Sequence, residues 1–153
     1  MDNFEDSLNN LFVSTFNLIL KVEENSITKA LNIPVTIAEA HMIDAIGKQQ
    51  GGEDNSISGI AAILNIAVPT ATVALKKLES KGIIKKIPCE KDARRMIIKL
   101  TEAGRKIEAA HHVFHKKMVR AIGKQFADAE KEIILRVTAL LEQFFKEEAE
   151  AFG

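Results

Sequence analysis

Two histidines carry the most chemically suggestive spacing in this chain. His111 and His115 are four residues apart, and Glu108 lies three before the first of them. On a helix all three share one face and offer a metal ion two imidazoles and a carboxylate. No cysteine or second carboxylate obviously completes that set, and His41 and His112 add little to it. Imidazoles lining an effector pocket between helices give the same pattern, so the expectation is an effector-binding role with no bound metal and no cofactor. Catalysis finds still less support. The sequence has no glycine-rich phosphate loop, no nucleophile elbow and no acid pair placed for a cleft, so no catalytic residue is assigned and the chain does not read as an enzyme.

Side chains suited to nucleic acid are concentrated upstream. Between residues 66 and 82, Ala71, Ala74, Leu75 and Leu78 recur at three- and four-residue intervals and define the buried stripe of a helix. Pro69, Val73, Lys76 and Lys77 fall on the opposite side, with Thr70 and Thr72 beside them. Short hydroxyl side chains help cap a helix start, and they also suit base edges and phosphates. Lone helix lysines are ordinarily solvated surface, but the charge distribution argues for more here. The chain is neutral overall, with 21 basic and 21 acidic residues, yet residues 76–99 hold nine basic residues against three acids, a local charge of +6. A basic surface inside a neutral molecule fits selective DNA binding better than indiscriminate coating. Arg94 and Arg95 in a turn would normally serve solubility. An adjacent Asp92 holding one guanidinium makes a rigid probe for a narrow groove, and strand alternation should aim only one arginine at DNA.

With 153 residues, 46% of them hydrophobic, residues 1–153 read as a single domain around one core. The one cysteine, Cys89, cannot form an internal disulfide, and the first residues lack the basic-then-apolar order of a secretory signal. Both fit a reducing cytoplasm. Residues 55–75 are uncharged and long enough to span a bilayer. Polar residues such as Asn55, Ser58, Asn65 and Thr72 interrupt that run and alanine supplies much of the rest, so no membrane association is expected.

The elements that must position these groups follow from periodicity and punctuation. Residues 3–31 form a helix with Phe4, Leu8, Leu11, Phe12, Phe16, Ile19 and Val22 on a broad apolar face. After Pro34, Thr36 and Glu39 have the form of a capping box opening a second helix to about Gln49. Residues 49–55 make a surface turn, Ser58 caps a short third helix, and the helix carrying Lys76 follows, with Gly82 as its stop. The segments at 83–88 and 95–101 are short and β-branched, and they read as a hairpin with a charged loop and Cys89 in a structural role at its base. A long helix then runs from Thr101–Glu102 to about Gln125 and another from Asp128 to Ala151. The last carries Ile133, Ile134, Val137, Leu140, Leu141, Phe144 and Phe145 in a stripe too wide for a thin domain to cover, which predicts a twofold homodimer made by the first and last helices. The fold class is mainly α: a winged helix-turn-helix lobe at 36–100 with a β-hairpin wing, flanked by helical dimerisation segments at 1–31 and 102–151. Two recognition helices about one DNA turn apart would read a palindromic operator in double-stranded DNA.

The segment from Ser58 to Arg105 resembles the MarR family of winged-helix repressors, and DARRMIIKLTEAGR, residues 92–105, is its most specific signature. The resemblance implies that Asp92 fixes Arg94 for the minor groove, and it implies DNA contacts from Thr70, Thr72, Val73, Lys76, Lys77 and Arg95. Three departures point to fewer phosphate contacts than usual: Ala67 at a capping position, Val73 where arginine is common, and Ala93 at a second wing arginine. The strings FNLILKVEE, HMIDAIGK and HHVFHKKMV look like the branch that represses fatty-acid synthesis genes and responds to acyl chains on acyl carrier protein. That likeness implies an apolar cavity where the first, second and fifth long helices meet, with Phe16, His41, His111 and His115 as effector-binding residues. A MarR-type regulator answering to a small aromatic ligand or zinc is the alternative, and a helical dimerisation protein that binds no DNA is the rival from another class.

Overall fold

The computed structural model describes residues 3–49 and 55–152, in which six helices and one hairpin follow in the order α1 (Asn3–Leu31), α2 (Ile37–Lys48), α3 (Ile57–Ile63), α4 (Val68–Ser80), β1 (Ile84–Pro88), β2 (Met96–Leu100), α5 (Glu102–Gly123) and α6 (Asp128–Phe152). The chain divides into two compact units, Met1–Phe114 and His115–Gly153. The core of the first is built by Ile27 of α1, Ile43 and Ile46 of α2, Ile60 of α3, Leu75 and Leu78 of α4, Ile83, Ile98 of β2 and Ile107 of α5, each no more than 1% exposed. Full burial of such a side chain contributes about 1.5–3 kcal/mol, so α4 is anchored by the stripe that its spacing announces.

Local chemistry marks the ends of these elements. Asn32, at φ 52°, ends α1, and Asn65, at φ 50°, ends the turn after α3; asparagine is among the few residues that enter the left-handed region readily. The Thr36–Glu39 capping box opens α2. The cap of α3 is Ser56, whose hydroxyl accepts from the Gly59 N–H at 3.1 Å, so the helix begins earlier than a cap at Ser58 implies. Pro69 sits in the first turn of α4 and Ala67 caps it without a side-chain bond. Gly82, at φ 70°, permits the exit. No single helix among the described residues is long and apolar enough to cross a membrane; α3 and α4, which contain most of the uncharged run, are bent against each other by 110°, the geometry of a helix-turn-helix.

The hairpin pairs Ile84 with Leu100 through Pro88 with Met96 in antiparallel register. Of the expected surface turn, residues 50–54 lie outside the described residues, but its last member, Asn55, is fully buried. The Asn55 amide nitrogen donates to the Ile46 carbonyl at 3.0 Å and the Ile98 carbonyl at 2.8 Å, and its own carbonyl accepts from the Ile98 N–H at 2.8 Å. Asparagine in a turn serves here as a clamp between α2 and β2. In the second unit α6 leaves Ile133, Leu140, Phe144 and Phe145 more than half exposed, and in the first unit α1 does the same with Phe4, Leu11 and Phe16.

Candidate nucleic-acid interface and histidine cluster

The outward face of α4 carries Pro69, Thr70, Val73, Lys76 and Lys77, all exposed, with Val73 at 70%. Thr72 is half-buried, and its hydroxyl donates to the Val68 carbonyl at 2.8 Å, a bond within its own helix that leaves the methyl as its outward group. Lys77 is only partly available, because its ammonium lies 3.2 Å from Glu39 Oε1, while Lys81 reaches the other carboxylate oxygen at 2.8 Å. Lys81 also donates to the Pro34 carbonyl. Burial pushes the Glu39 carboxyl up, but hydrogen bonds from Lys81, the Thr36 backbone N–H and Lys77 outweigh it and hold the group below its ordinary range. Sequence reasoning missed Glu39 beyond its capping role. A capping-box glutamate on one helix cannot reveal which lysines of another helix it meets.

The wing differs from the expected arrangement in two respects. The Asp92 carboxylate accepts the backbone N–H of Arg94 at 3.0 Å, so it shapes the turn and leaves the Arg94 guanidinium to project. Arg94 and Arg95 both precede β2 in the turn and both are exposed, so strand alternation does not choose between them. Bonds from Arg95 N–H to the Asp92 carbonyl at 2.9 Å and from Cys89 N–H to the Arg95 carbonyl at 2.8 Å tighten the tip. Cys89 is buried beneath it.

The histidines assemble differently from the spacing on α5 alone. Glu108 is not their carboxylate: its side chain lies against Gly47, where an added Cβ would meet Glu108 Oε1 at 1.8 Å. The carboxylate comes from α1 instead. Glu23, 1% exposed, meets Nε2 of His111, itself 4% exposed, and Nε2 of His41 from α2 lies 3.7 Å from the same Glu23 oxygen. On the far side of the His111 ring, Nδ1 is 3.9 Å from Asp44 Oδ1. That oxygen also bonds His112 Nε2 at 2.7 Å, and Lys48 holds the other at 2.6 Å. Burial raises the Asp44 carboxyl, but bonds from Lys48 and His112 and the nearby charges of Lys48 and His111 leave it below the usual carboxylate range. His41 and His112 therefore belong to the cluster that the sequence seemed to leave at two members. His115 stands one turn beyond His111 on the same helix, whereas Phe16 lies two turns before Glu23 on α1 and is 62% exposed. A glutamate 88 residues from its histidine gives no local sequence signal.

A groove of about 400 Å³ runs between α2 and α4, floored by Met42, Leu64, Ile66 and Ala74 and edged by Thr70 and Lys77, within the size of small-molecule sites. The glutamate–histidine contacts just described lie where α1, α2 and α5 meet.

The MarR family profile matches residues 36–96, from the cap of α2 to the start of β2. Streptococcus pneumoniae FabT in complex with DNA superposes with a TM-score of 0.83 at 31% identity, covering 94% of this chain and 98% of that one. The transcriptional regulator ZitR of Lactococcus lactis is 26% identical over 118 residues, 75% of this chain and 79% of that protein. The Staphylococcus aureus MepR–DNA complex, at 21% identity, shares the fold with a TM-score of 0.68 over 88% of this chain and 94% of its own. A helix-turn-helix bent by 110°, a paired wing and a likeness that extends through both flanking helices agree on one assignment: the chain belongs to the MarR family of transcriptional regulators.

Proposed function

We propose that this protein is a dimeric, sequence-specific repressor that reads a palindromic operator in double-stranded DNA and responds to a fatty acyl ligand presented by acyl carrier protein, in the manner of the branch that controls fatty-acid synthesis genes. The observation that carries the reading is the near full-length likeness to FabT bound to DNA, joined to an α4 face whose Thr70, Val73 and Lys76 are exposed beside a projecting wing. α4 enters the major groove with Thr70, Val73 and Lys76 toward bases and phosphates. Arg94 reaches the minor groove from a turn set by Asp92, and Arg95 meets the backbone. The apolar faces of α1 and α6 join two copies. Binding needs no catalytic residue and no turnover.

The experiment is a selection of bound fragments from a genomic library, followed by band-shift titration of the winners with and without long-chain acyl carrier protein. A palindromic site bound in the nanomolar range, with affinity changed at least tenfold by the acyl carrier, is the expected result; that change corresponds to about 1.4 kcal/mol of coupling. Equal affinity with acyl carriers of every chain length removes the fatty-acid reading, and failure to enrich any fragment removes the DNA-binding one.

A further inference from the structure

We propose that α4 reads thymine methyl groups in the major groove and that Val73 sets this preference, an inference that rests on the DNA-binding reading above and names the base chemistry of that site. The N-terminal part of a recognition helix is the part that meets base edges. From its cap Ala67 to Leu75, this helix holds no arginine, lysine, asparagine, glutamine, aspartate or glutamate, the side chains that hydrogen-bond selectively to guanine, adenine or cytosine. Lys76 is the first of them. What the N-terminal part offers instead is apolar. Pro69, Thr70 and Val73, three and four residues apart, share an exposed face, and Val73 is exposed at 70%. The Thr72 hydroxyl is committed to the Val68 carbonyl, which leaves a methyl beside them. A single exposed valine is ordinary surface. This one tops a ridge of apolar groups at the middle of the helix, at a small cost in helix propensity and with little packing in the single chain to offset it.

The groove supplies one matching group. Every base pair presents hydrogen-bonding atoms at its major-groove edge, and thymine alone adds an apolar one, its C5 methyl. An isopropyl group set against guanine, adenine or cytosine strips water from polar atoms and returns no hydrogen bond. Against thymine it covers a methyl. Val73 therefore acts in both directions, favouring thymine and penalising the other three bases. The cations fit the same placement. Lys76, three residues after Val73, and the wing residues Arg94 and Arg95 are exposed and suited to phosphate, which positions a protein without specifying sequence. Lys77 is engaged by Glu39 at 3.2 Å and does not supply the missing base contact. Position thus comes from the cations and discrimination from the apolar ridge. Because the methyl belongs to one strand, a T·A pair differs from A·T at this step, which gives each half-site a direction. A twofold dimer meets the same thymine in inverted orientation in its second half-site.

The test is a band-shift titration of the full-length protein on its selected operator, with deoxyuridine replacing thymine one position at a time, symmetrically in both half-sites. Uracil keeps every hydrogen-bonding atom of thymine and lacks only the methyl. At one position the substitution should weaken binding about fourfold for each half-site, the ratio expected for one buried methyl-sized group, and so roughly 15-fold for both. Val73→Ala, at an exposed helix position where alanine is well tolerated, should weaken binding to the thymine operator and cut the uracil penalty at that position to below about twofold. Lys76→Ala should weaken the thymine and uracil operators by the same factor, which separates a phosphate contact from a methyl contact. In a fresh selection, Val73→Arg should exchange that thymine for guanine. Uracil operators bound as tightly as thymine at every position overturn the inference, and so does a full uracil penalty in Val73→Ala, which would place the effect in the DNA and not in this side chain. A protein that binds its operator without regard to the methyl loses this inference alone, whereas one that enriches no fragment loses the DNA-binding reading beneath it.

Discussion

Replacing Glu39 by glutamine tests the link between α2 and the recognition helix without disturbing the cap, because glutamine at this position can still close a capping box. The carboxylate is 6% exposed and accepts from Lys81 at 2.8 and 2.9 Å. A charged hydrogen bond of that kind contributes about 1.5–3 kcal/mol, and the more exposed Lys77 adds little after screening. Glu39→Gln should therefore cost about 2 kcal/mol, a fall in Tm of about 4–8 °C for a chain of this size. A double-mutant cycle with Lys81→Met should return most of that loss as coupling. Because the folded carboxyl is held below its ordinary 4.5, its stabilisation is present above that value and disappears as pH falls through the lower folded one. The gap between wild type and variant should thus close below pH 4.5. The same substitution frees Lys77 in both subunits, so the log–log salt slope of operator binding should steepen by about two from a wild-type value of roughly −4 set by Lys76 and Arg94 of two chains. Urea titration at neutral and acid pH and band-shift titration at several salt concentrations measure all of this. Equal stability of wild type and variant at pH 7, or a gap that does not shrink as pH falls below 4.5, refutes the reasoning.

Three further outcomes follow from other parts of the molecule. Arg94→Ala should weaken operator binding at least tenfold while moving Tm by less than about 2 °C, since an exposed turn residue contributes little to the core; band shift and differential scanning calorimetry decide it. Phe144→Asp, at a position 54% exposed in the single chain, should convert the dimer to monomer in sedimentation velocity because it places a charge in the proposed interface, and an unchanged dimer removes α6 from that interface. Gly104→Ala should cost about 1–3 kcal/mol in urea unfolding, because its Cβ would meet the Ile83 carbonyl at 2.3 Å, whereas Gly47→Ala, which displaces only the flexible end of Glu108, should cost far less.

Much of the lobe was legible because its determinants are local. The capping box at Thr36, the Ala71–Leu75–Leu78 stripe, Pro69, Gly82 and the β-branched segments flanking the wing each state their structure within a few residues. Asn32 and Asn65 as left-handed stops, Ser56 as a cap and Asn55 as a buried clamp were harder, because polar residues of these types read first as surface. The histidine cluster was legible only in half. His111 and His115 advertise themselves by helical spacing, but Glu23, His41 and Asp44 meet His111 through tertiary packing of three helices, and nearby Glu108 offered a plausible wrong carboxylate. Asp92 meets Arg94 through the backbone N–H and not the guanidinium, since a turn lets a carboxylate satisfy a backbone N–H two residues on.

The buried Asn55 clamp has a consequence for how such a regulator can vary. It joins the end of α2 to β2, while Glu39 joins the start of α2 to α4. The wing, the recognition helix and the helix between them are therefore tied into one stiff reading head. An effector that displaces α2 carries that head bodily and leaves the relation between α4 and the wing intact. In a dimer the adjustable quantity is then the separation of two identical heads, so the bases preferred in each half-site should be the same with and without effector, and only the tolerated spacer length should change. Preference and responsiveness can accordingly drift independently, the first through the outward face of α4 and the second through the contacts that seat α2.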